Sequence, residues 1–345
     1  MYAIRSHLPR VTSLALAIAL MATPSAFADL TLGPEELVQA GGLDIGVSGY
    51  SVPSYADWNG DGLMDLILGE GSGSYTPKVR IYLNGGSVSS PAFSTYSYAQ
   101  SNGSDLTVPG SGCLGIYPRV VDWDNDGRKD LLVGQADGSV KLFRNTNSDT
   151  APMFDGGTFL QIGAPGFKGD IDVGYRATPN AVDWNNDGNK DLVVGALDGL
   201  IHLFINEGTD SEPDFQSESF AQAYGSSLLV PSARSSPVIL DLDDDGKKDL
   251  LAGNTNGQLV FYSNTGTDAA PTFGDYSYME ADGVVIDLPD SPRSRPFVCD
   301  WTNDGLLDVL IGAGDGSVHL YQGVPEPTTL GLLMLAVFLT PRRRR

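Results

Sequence analysis

The chain repeats the segment Asp122-Trp-Asp-Asn-Asp-Gly-Arg-Lys-Asp130 five times, with variations. The other copies are Asp57-Trp-Asn-Gly-Asp-Gly-Leu-Met-Asp65, Asp183-Trp-Asn-Asn-Asp-Gly-Asn-Lys-Asp191, Asp241-Leu-Asp-Asp-Asp-Gly-Lys-Lys-Asp249 and Asp300-Trp-Thr-Asn-Asp-Gly-Leu-Leu-Asp308. Their first aspartates lie 58 to 65 residues apart, and a proline stands four residues before each of them. The chain is therefore built from five units of about 60 residues.

Each unit reads as a series of short strands. A short apolar run ending in glycine follows the acidic segment, as in Asp130-Leu-Leu-Val-Gly134, and an alternating run such as Val140-Lys-Leu-Phe-Arg-Asn145 comes after the next turn. Four of the units then reach a Pro-x-Phe motif and a further strand. A single four-stranded sheet cannot bury a core alone, so neighbouring units must stack.

The two ends of the chain favour a closed ring. The fifth unit stops after its third strand, near Tyr321, whereas residues 36–50 resemble the missing fourth strand and its exit loop. An N-terminal strand that completes the last sheet would remove the open edges. We therefore predict an all-β fold, a five-bladed β-propeller of four-stranded blades. We also expect packing between blades from the tryptophans at position 2 of the acidic segments, which are Trp58, Trp123, Trp184 and Trp301.

Composition excludes some classes of partner. The 345 residues include 43 acidic and 21 basic ones, for a net charge of -22, and 42 are glycine. A protein this acidic lacks the basic surface that binding to nucleic acid or to an anionic membrane requires. Cations are the expected charged partners.

The acidic segments carry the chemistry. Oxygen-bearing side chains at positions 1, 3, 5 and 9, with glycine at position 6 for the sharp bend, suit a hard cation, and calcium fits best. The closing carboxylate stands at position 9, and β-type runs follow, so the pattern is not an EF-hand. The alternative is that these residues serve turn geometry alone.

The repeats also resemble the FG-GAP and VCBS repeat family, whose calcium loops join the first two strands of propeller blades, as in integrin α chains. The resemblance covers residues 36–323 and implies four or five structural calcium ions. The implied ligands are Asp57, Asn59, Asp61, Asp65, Asp122, Asp124, Asp126, Asp130, Asp183, Asn185, Asp187, Asp191, Asp241, Asp243, Asp245, Asp249, Asp300, Asp304 and Asp308. Thr302 departs from the pattern at position 3 of the last loop, where a hydroxyl is a weaker, neutral ligand.

Both ends of the chain carry predicted targeting signals. Residues 1–28 combine a basic start, an apolar run and a small-x-small step before Asp29, which predicts a secretory signal peptide. Residues 324–345 contain Pro-Glu-Pro, an apolar run and four arginines, and resemble the PEP-CTERM sorting signal of Gram-negative bacteria. That resemblance implies an exosortase-type sorting enzyme as partner and transient membrane contact, leaving 29–323 as the exported propeller.

Three arginines and two cysteines leave alternatives open. Arg176, Arg234 and Arg293 each precede a repeat proline by three residues, on the face opposite the acidic loops. They form a candidate ligand face for carboxylate or sulfate groups of a polysaccharide or surface protein, or they pair with neighbouring aspartates. Cys113 and Cys299 occupy non-equivalent positions in the repeats and either form a disulfide or remain buried thiols.

The expected function is that of a binding, adhesion or scaffold module at the cell surface or in extracellular matrix. The sequence shows no nucleophile elbow, HExxH motif, phosphate loop or cysteine–histidine set, so we do not expect an enzyme. A glycan lyase or hydrolase on a propeller frame is the alternative, and a calcium-bridged assembly protein is a third reading.

Overall fold

The computed structural model describes residues 30–71, 76–110, 115–288 and 292–325. These residues form strands and turns without a helix, and so contain no helix that could span a membrane. The predicted signal peptide, nearly all of the predicted sorting signal and Cys113 fall outside the described residues. Cys299 is half-buried and is a free thiol in the described structure.

Thirty strands are present in the described residues. In chain order they are β1 (Leu32–Leu37), β2 (Gln39–Ala40), β3 (Leu43–Asp44), β4 (Ser51–Ala56), β5 (Asp65–Glu70), β6 (Val79–Tyr82), β7 (Tyr96–Tyr98), β8 (Gln100–Ser101), β9 (Ser104–Asp105), β10 (Tyr117–Val121), β11 (Asp130–Gly134), β12 (Val140–Phe143), β13 (Thr158–Phe159), β14 (Gln161–Ile162), β15 (Gly169–Asp170), β16 (Thr178–Val182), β17 (Asp191–Gly195), β18 (Ile201–Asn206), β19 (Phe215–Phe220), β20 (Gln222–Ala223), β21 (Ser226–Ser227), β22 (Ser236–Leu240), β23 (Asp249–Gly253), β24 (Leu259–Tyr262), β25 (Ser277–Tyr278), β26 (Glu280–Ala281), β27 (Val284–Val285), β28 (Arg295–Cys299), β29 (Asp308–Gly312) and β30 (Val318–Gly323).

Twenty of these strands form the five blades. The blades are the antiparallel sheets β4-β5-β6-β7, β10-β11-β12-β13, β16-β17-β18-β19, β22-β23-β24-β25 and β28-β29-β30-β1. The first strand of each blade contacts the first strand of both neighbouring blades, in the cyclic order β4, β10, β16, β22, β28 and back to β4. The remaining strands form a short hairpin where the chain leaves each blade. The fold is the predicted five-bladed β-propeller.

The N-terminal strand closes the ring, as predicted. Strand β1 pairs antiparallel with β30, with Glu35 opposite Tyr321 and Leu37 opposite His319. The strand begins at Leu32, earlier than the stretch whose sequence resembled it, and residues 36–50 supply its last two residues, the β2–β3 hairpin and the approach to β4. The last blade therefore has no open third strand.

Glycine and proline recur in every unit because the blades approach closely there. A Cβ on Gly134, at the end of β11, would overlap the carbonyl oxygen of Ala177 and lie 2.6 Å from Cδ of Pro179 in the next blade. The equivalent glycines Gly69, Gly195, Gly253 and Gly312 face the next blade in the same way. Only a residue without a side chain leaves room for this contact.

The core consists of five apolar clusters, each between two neighbouring blades. The position 2 tryptophan of one blade packs against the phenylalanine of the next blade's Pro-x-Phe motif, as in Trp58 with Phe154, whose ring centroids are 5.5 Å apart. The fourth loop has Leu242 at this position, and its cluster contains Leu32 of β1. The predicted packing role of the tryptophans is confirmed, and the exception coincides with the blade that the N-terminal strand completes.

Truncating Leu32 should weaken the closure of the ring. Its side chain is 1% exposed, and Leu32→Ala should lower the free energy of unfolding by about 2–5 kcal/mol, since a buried leucine leaves a cavity. Leu37→Ala in the same strand is the control, because Leu37 is 38% exposed. Urea denaturation of both variants checks the prediction, and equal losses would contradict it.

Candidate cation sites

The five acidic loops lie at one end of the ring. Each connects the first strand of a blade to the second, as residues 122–129 connect β10 to β11. Because the blades repeat around one axis, all five loops emerge on the same face. The residues that enter the first strands, including the three predicted arginines, belong to the opposite face.

The aspartates at positions 1 and 5 organise the turn. In the second loop, Oδ1 of Asp122 accepts a hydrogen bond from the backbone N of Asp126 at 3.1 Å, and Oδ2 accepts one from Gly127 N at 3.0 Å. Oδ1 of Asp126 in turn accepts one from Arg128 N at 2.9 Å. The same three bonds recur in the other loops.

Positions 4 and 6 hold left-handed backbone. In the second loop, Asn125 has φ of 58° and Gly127 has φ of 84°. Position 4 is occupied by Gly60, Asn125, Asn186, Asp244 and Asn303, all of residue types that tolerate this region. Sequence analysis recognised the glycine at position 6 but missed position 4, although the run of Gly, Asn and Asp there was a usable signal.

The position 9 aspartates have a second task that sequence analysis also missed. Asp130 is 2% exposed; its Oδ2 accepts a hydrogen bond from Trp123 N at 3.2 Å, and its Oδ1 accepts one from Asn145 N at 2.8 Å. The other four copies accept the equivalent pair of backbone bonds. These carboxylates join the acidic loop to the end of the third strand.

Burial also shifts the ionisation of this position. Desolvation raises the pKa of Asp130 and that of Asp249 to about 6, against the backbone hydrogen bonds, which lower it. The pKa values of Asp65, Asp191 and Asp308 are raised for the same reason. A nearby cation would favour the charged form of each carboxylate.

The asparagine that meets position 9 shapes the outer loop. Oδ1 of Asn145 accepts hydrogen bonds from the backbone N of Asn147 at 3.1 Å and of Met153 at 3.2 Å, which fixes the polar loop before the Pro-x-Phe motif. Asn84, Asn206 and Asn264 make the same pair of bonds in their blades. Their recurrence at the end of the third strand was the sequence signal for this role.

Carboxylates converge in the second and fourth loops. Oxygen atoms of Asp122, Asp124 and Asp126 lie within 4.8 Å of one another, and so do oxygen atoms of Asp241, Asp243 and Asp249. In the first and third loops, Asn59 and Asn185 stand at position 3 and donate to the position 5 aspartates at 2.9 Å.

Basic side chains neutralise part of this charge. Arg144 Nη1 lies 2.5 Å from Oδ2 of Asp124, Arg128 pairs with Asp126, and Lys247 lies 2.7 Å from Asp245.

Two buried oxygens at position 3 lack partners. These are Oδ1 of Asp124 and the hydroxyl oxygen of Thr302, neither of which has a hydrogen-bond partner in the described structure. A hard divalent cation in the loop would supply the missing partner, since such ions take six to eight oxygen ligands. The donor set, all oxygen and largely anionic, fits calcium.

The loops of neighbouring blades are tied together. Lys190, at position 8 of the third loop, lies 2.9 Å from Oδ2 of Asp210 in its own blade and donates to Oδ1 of Asn125 in the second loop at 2.6 Å. Asn125 also donates to Asp210 at 2.6 Å. Asn186, Lys248 and Asp268 repeat the network between the third and fourth blades. The conformation of one loop is therefore coupled to that of the next through these hydrogen bonds.

The predicted arginines of the opposite face are not equally accessible. Arg176 is fully buried and donates to the carbonyl oxygen of Ser235 at 2.9 Å and to Ser236 Oγ at 2.6 Å. Arg234 and Arg293 are half-buried, and the guanidinium of Arg293 lies 4.7 Å from the centre of the Tyr50 ring. Of the three, Arg176 is closed to a large ligand, whereas Arg234 and Arg293 are partly exposed, although Nη1 of Arg234 is buried without a hydrogen-bond partner in the described structure.

Comparisons with known proteins agree with the repeat. Residues 122–194 match the family model described as FG-GAP-like repeat. The chain is 27% identical over 169 residues to integrin alpha-4 of Xenopus laevis, covering 47% of this chain and 15% of that protein. It is 24% identical over 198 residues to cartilage acidic protein 1 of Xenopus tropicalis, covering 55% of this chain and 27% of that protein. The matches thus span under a third of either relative.

Solved structures also align over most of the chain. A Photorhabdus luminescens Tc holotoxin pore aligns over 83% of this chain and 12% of its own, with 16% identity and a TM-score of 0.41. BBS1N in complex with ARL6DN aligns over 87% of this chain and 98% of its own, with 10% identity and a TM-score of 0.38. The strand order and the contacts between blades establish the five-bladed architecture. The sequence matches show that the repeat is similar to FG-GAP-like repeats.

Proposed function

We propose that this chain is an exported, calcium-stabilised β-propeller that acts as a binding or adhesion module outside the cell. The observation that carries the proposal is the recurrence of one oxygen-lined loop in all five blades, on one face of the ring. A catalytic carboxylate pair needs two unlike environments, whereas these loops repeat one environment. The similarity to integrin alpha-4 and cartilage acidic protein 1 supports the same class of role.

Calcium would be held by positions 1, 3, 5 and 9 of each loop. It would offset the crowded negative charge of a chain with 43 acidic residues, and it would give Asp124 Oδ1 and the Thr302 hydroxyl the partner that they lack. We propose four or five sites, of which the one at Thr302 is the weakest because its position 3 ligand is neutral. The ions are structural and hold the loop face rigid.

Export and sorting rest on the sequence of the two ends. We propose that the N-terminal signal directs secretion from a Gram-negative bacterium, and that an exosortase-type enzyme processes the C-terminal signal. The mature propeller then lies at the cell surface or in extracellular matrix, where calcium is available to fill the sites.

The proposed ligand is an acidic polysaccharide or surface protein bound at the face of Arg234 and Arg293. Arg234→Gln together with Arg293→Gln should abolish retention on an acidic-glycan column in calcium, whereas Lys168→Gln, which removes a charge that pairs with Asp214 on the outer part of the propeller, should leave it unchanged. Retention of the double variant equal to that of the unaltered protein would contradict this ligand face. Release of reducing ends from the glycan would instead favour the lyase or hydrolase alternative.

A further inference from the structure

A small cavity lies on the axis of the propeller. Its volume is about 10 Å³, and its lining includes the residue immediately before the repeat proline in every blade. These residues are Val52, Tyr117, Thr178, Ser236 and Arg295. Arg119 and Pro179 complete the lining, and all seven residues are buried. A cavity of this size holds about one water-sized particle.

Three guanidinium groups are buried around this axis. Arg176 is 0% exposed, Arg295 is 1% exposed and Arg119 is 9% exposed. Sequence analysis singled out Arg176 but missed Arg119 and Arg295, because they occupy different positions relative to the repeat proline and have no counterparts in the other blades.

No carboxylate neutralises these three side chains among the described residues. Arg119 donates to the carbonyl oxygens of Pro53 at 3.0 Å and Pro296 at 3.3 Å, and Arg295 donates to the carbonyl oxygen of Arg293 at 2.9 Å. Arg176 donates to a carbonyl and a hydroxyl of the fourth blade, as described above. The ring of Tyr117 lies between Arg176 and Arg295, 5.5 Å and 5.8 Å from their guanidinium carbons. All these partners are neutral.

Four N–H-bearing nitrogen atoms of these arginines lack a hydrogen-bond acceptor among the described residues. Nε of Arg119, Nε of Arg176, and both Nε and Nη2 of Arg295 are buried without a hydrogen-bond partner in the described structure. Burying an unpaired charge is costly, and an arginine cannot avoid the cost by losing its proton in neutral solution. Burial lowers the pKa of Arg119 to about 10 and that of Arg295 to about 9, so both stay charged at neutral pH.

The backbone of Arg176 is also strained. It has φ of 63°, a left-handed conformation that a long side chain rarely adopts. Strain of this kind persists where the surrounding structure requires it, and it is concentrated at ligand sites.

We propose that the axial cavity binds a monatomic anion of the halide class, with chloride as its usual occupant. A cavity with room for about one small particle favours a monatomic ion over a carboxylate, sulfate or phosphate group, and such an ion can accept N–H donors from several directions. It would neutralise the buried charge of Arg119 and Arg295, which line the cavity from two different blades, with Arg176 of a third blade packed near the same Tyr117 ring as Arg295. The anion therefore joins the blades at the centre of the ring, on an axis separate from the calcium loops.

The test is thermal unfolding of the full chain at fixed free calcium and fixed ionic strength, with gluconate exchanged for chloride. Once chloride exceeds its dissociation constant, the melting temperature should rise by about 2–4 °C per tenfold increase in chloride. Bromide should raise the melting temperature in the same way as chloride. A melting temperature that does not differ between chloride and gluconate would overturn the proposal and leave a water in the cavity.

Variants and a direct measurement locate the ion. Arg295→Gln should abolish the chloride response, whereas Lys168→Gln, which removes one positive charge away from the axis, should keep it. If Arg295→Gln does not fold, crystals of the unaltered protein soaked in bromide decide the matter. An anomalous peak between Arg119 and Arg295 supports the proposal, and bromide found only at the surface overturns it.

Discussion

Asp130→Asn should destabilise the calcium-free protein by about 1–2 kcal/mol, measured by urea denaturation in chelator. Asp130 is buried and each of its two oxygens accepts a backbone N–H, from Trp123 and from Asn145. Asparagine offers one acceptor and turns an NH₂ group toward the other N–H, which leaves a buried donor unsatisfied. At pH 7.5 asparagine also removes the desolvation cost of the charged carboxylate, since burial raises the pKa of Asp130 to about 6; this partly offsets the loss, which should therefore be larger near pH 5.

Asp126→Asn in the same loop is the matched control. Asp126 is exposed; it accepts one backbone bond, from Arg128 N, and pairs at the surface with the Arg128 side chain. In chelator this variant should lose under about 1 kcal/mol, since exposed sites contribute little. In calcium both variants should lose the stabilisation due to their site. Equal effects of the two substitutions in chelator would contradict the structural role of position 9.

Removing calcium should lower the melting temperature of the unaltered protein by more than about 15 °C. A site at one hundred times its dissociation constant adds about 2.7 kcal/mol to the folded state, and four or five such sites add more than about 10 kcal/mol. A domain of about 295 residues shifts by about 1.6 °C for each kcal/mol. Mutual repulsion among the loop carboxylates acts in the same direction, because chelation leaves their negative charge uncompensated.

Magnesium is the control for calcium removal. It requires six ligands in near-ideal octahedral geometry and gives up its waters reluctantly, so an equal concentration should restore little of the loss. Recovery in calcium but not in magnesium supports the assignment of the loops. Equal recovery in magnesium and in calcium, or recovery in sodium chloride alone, would show that the effect is charge screening.

The repeat made the fold predictable. Each loop, proline and glycine recurs in every unit, and the structure gives each a reason: Gly134, for example, leaves room for the next blade's Pro179. The closing strand was predictable because the fifth unit ends early and residues 36–50 resemble what it lacks. The start of that strand at Leu32 was not, because Leu32–Glu35 has little likeness to its counterparts in the other blades.

Features that depend on one blade meeting another were harder to predict. Leu242 replaces tryptophan because its cluster contains Leu32 of β1 where another blade offers phenylalanine, and no alignment of the repeats shows this partner. The buried arginines at the axis were not predicted from the sequence, for a related reason. Arg119 and Arg295 come from different strand positions in different blades, and they meet only when the ring closes.

The most direct test of the account is a count of bound calcium. The chain is stripped with chelator, titrated with calcium in an isothermal calorimeter, and its metal content is measured after gel filtration. The account predicts four or five calcium ions per chain, with the weakest at the loop of Thr302, and a loss of one ion in Asp187→Ala. A protein that binds none, or one, would contradict the central claim and reduce the five loops to turns.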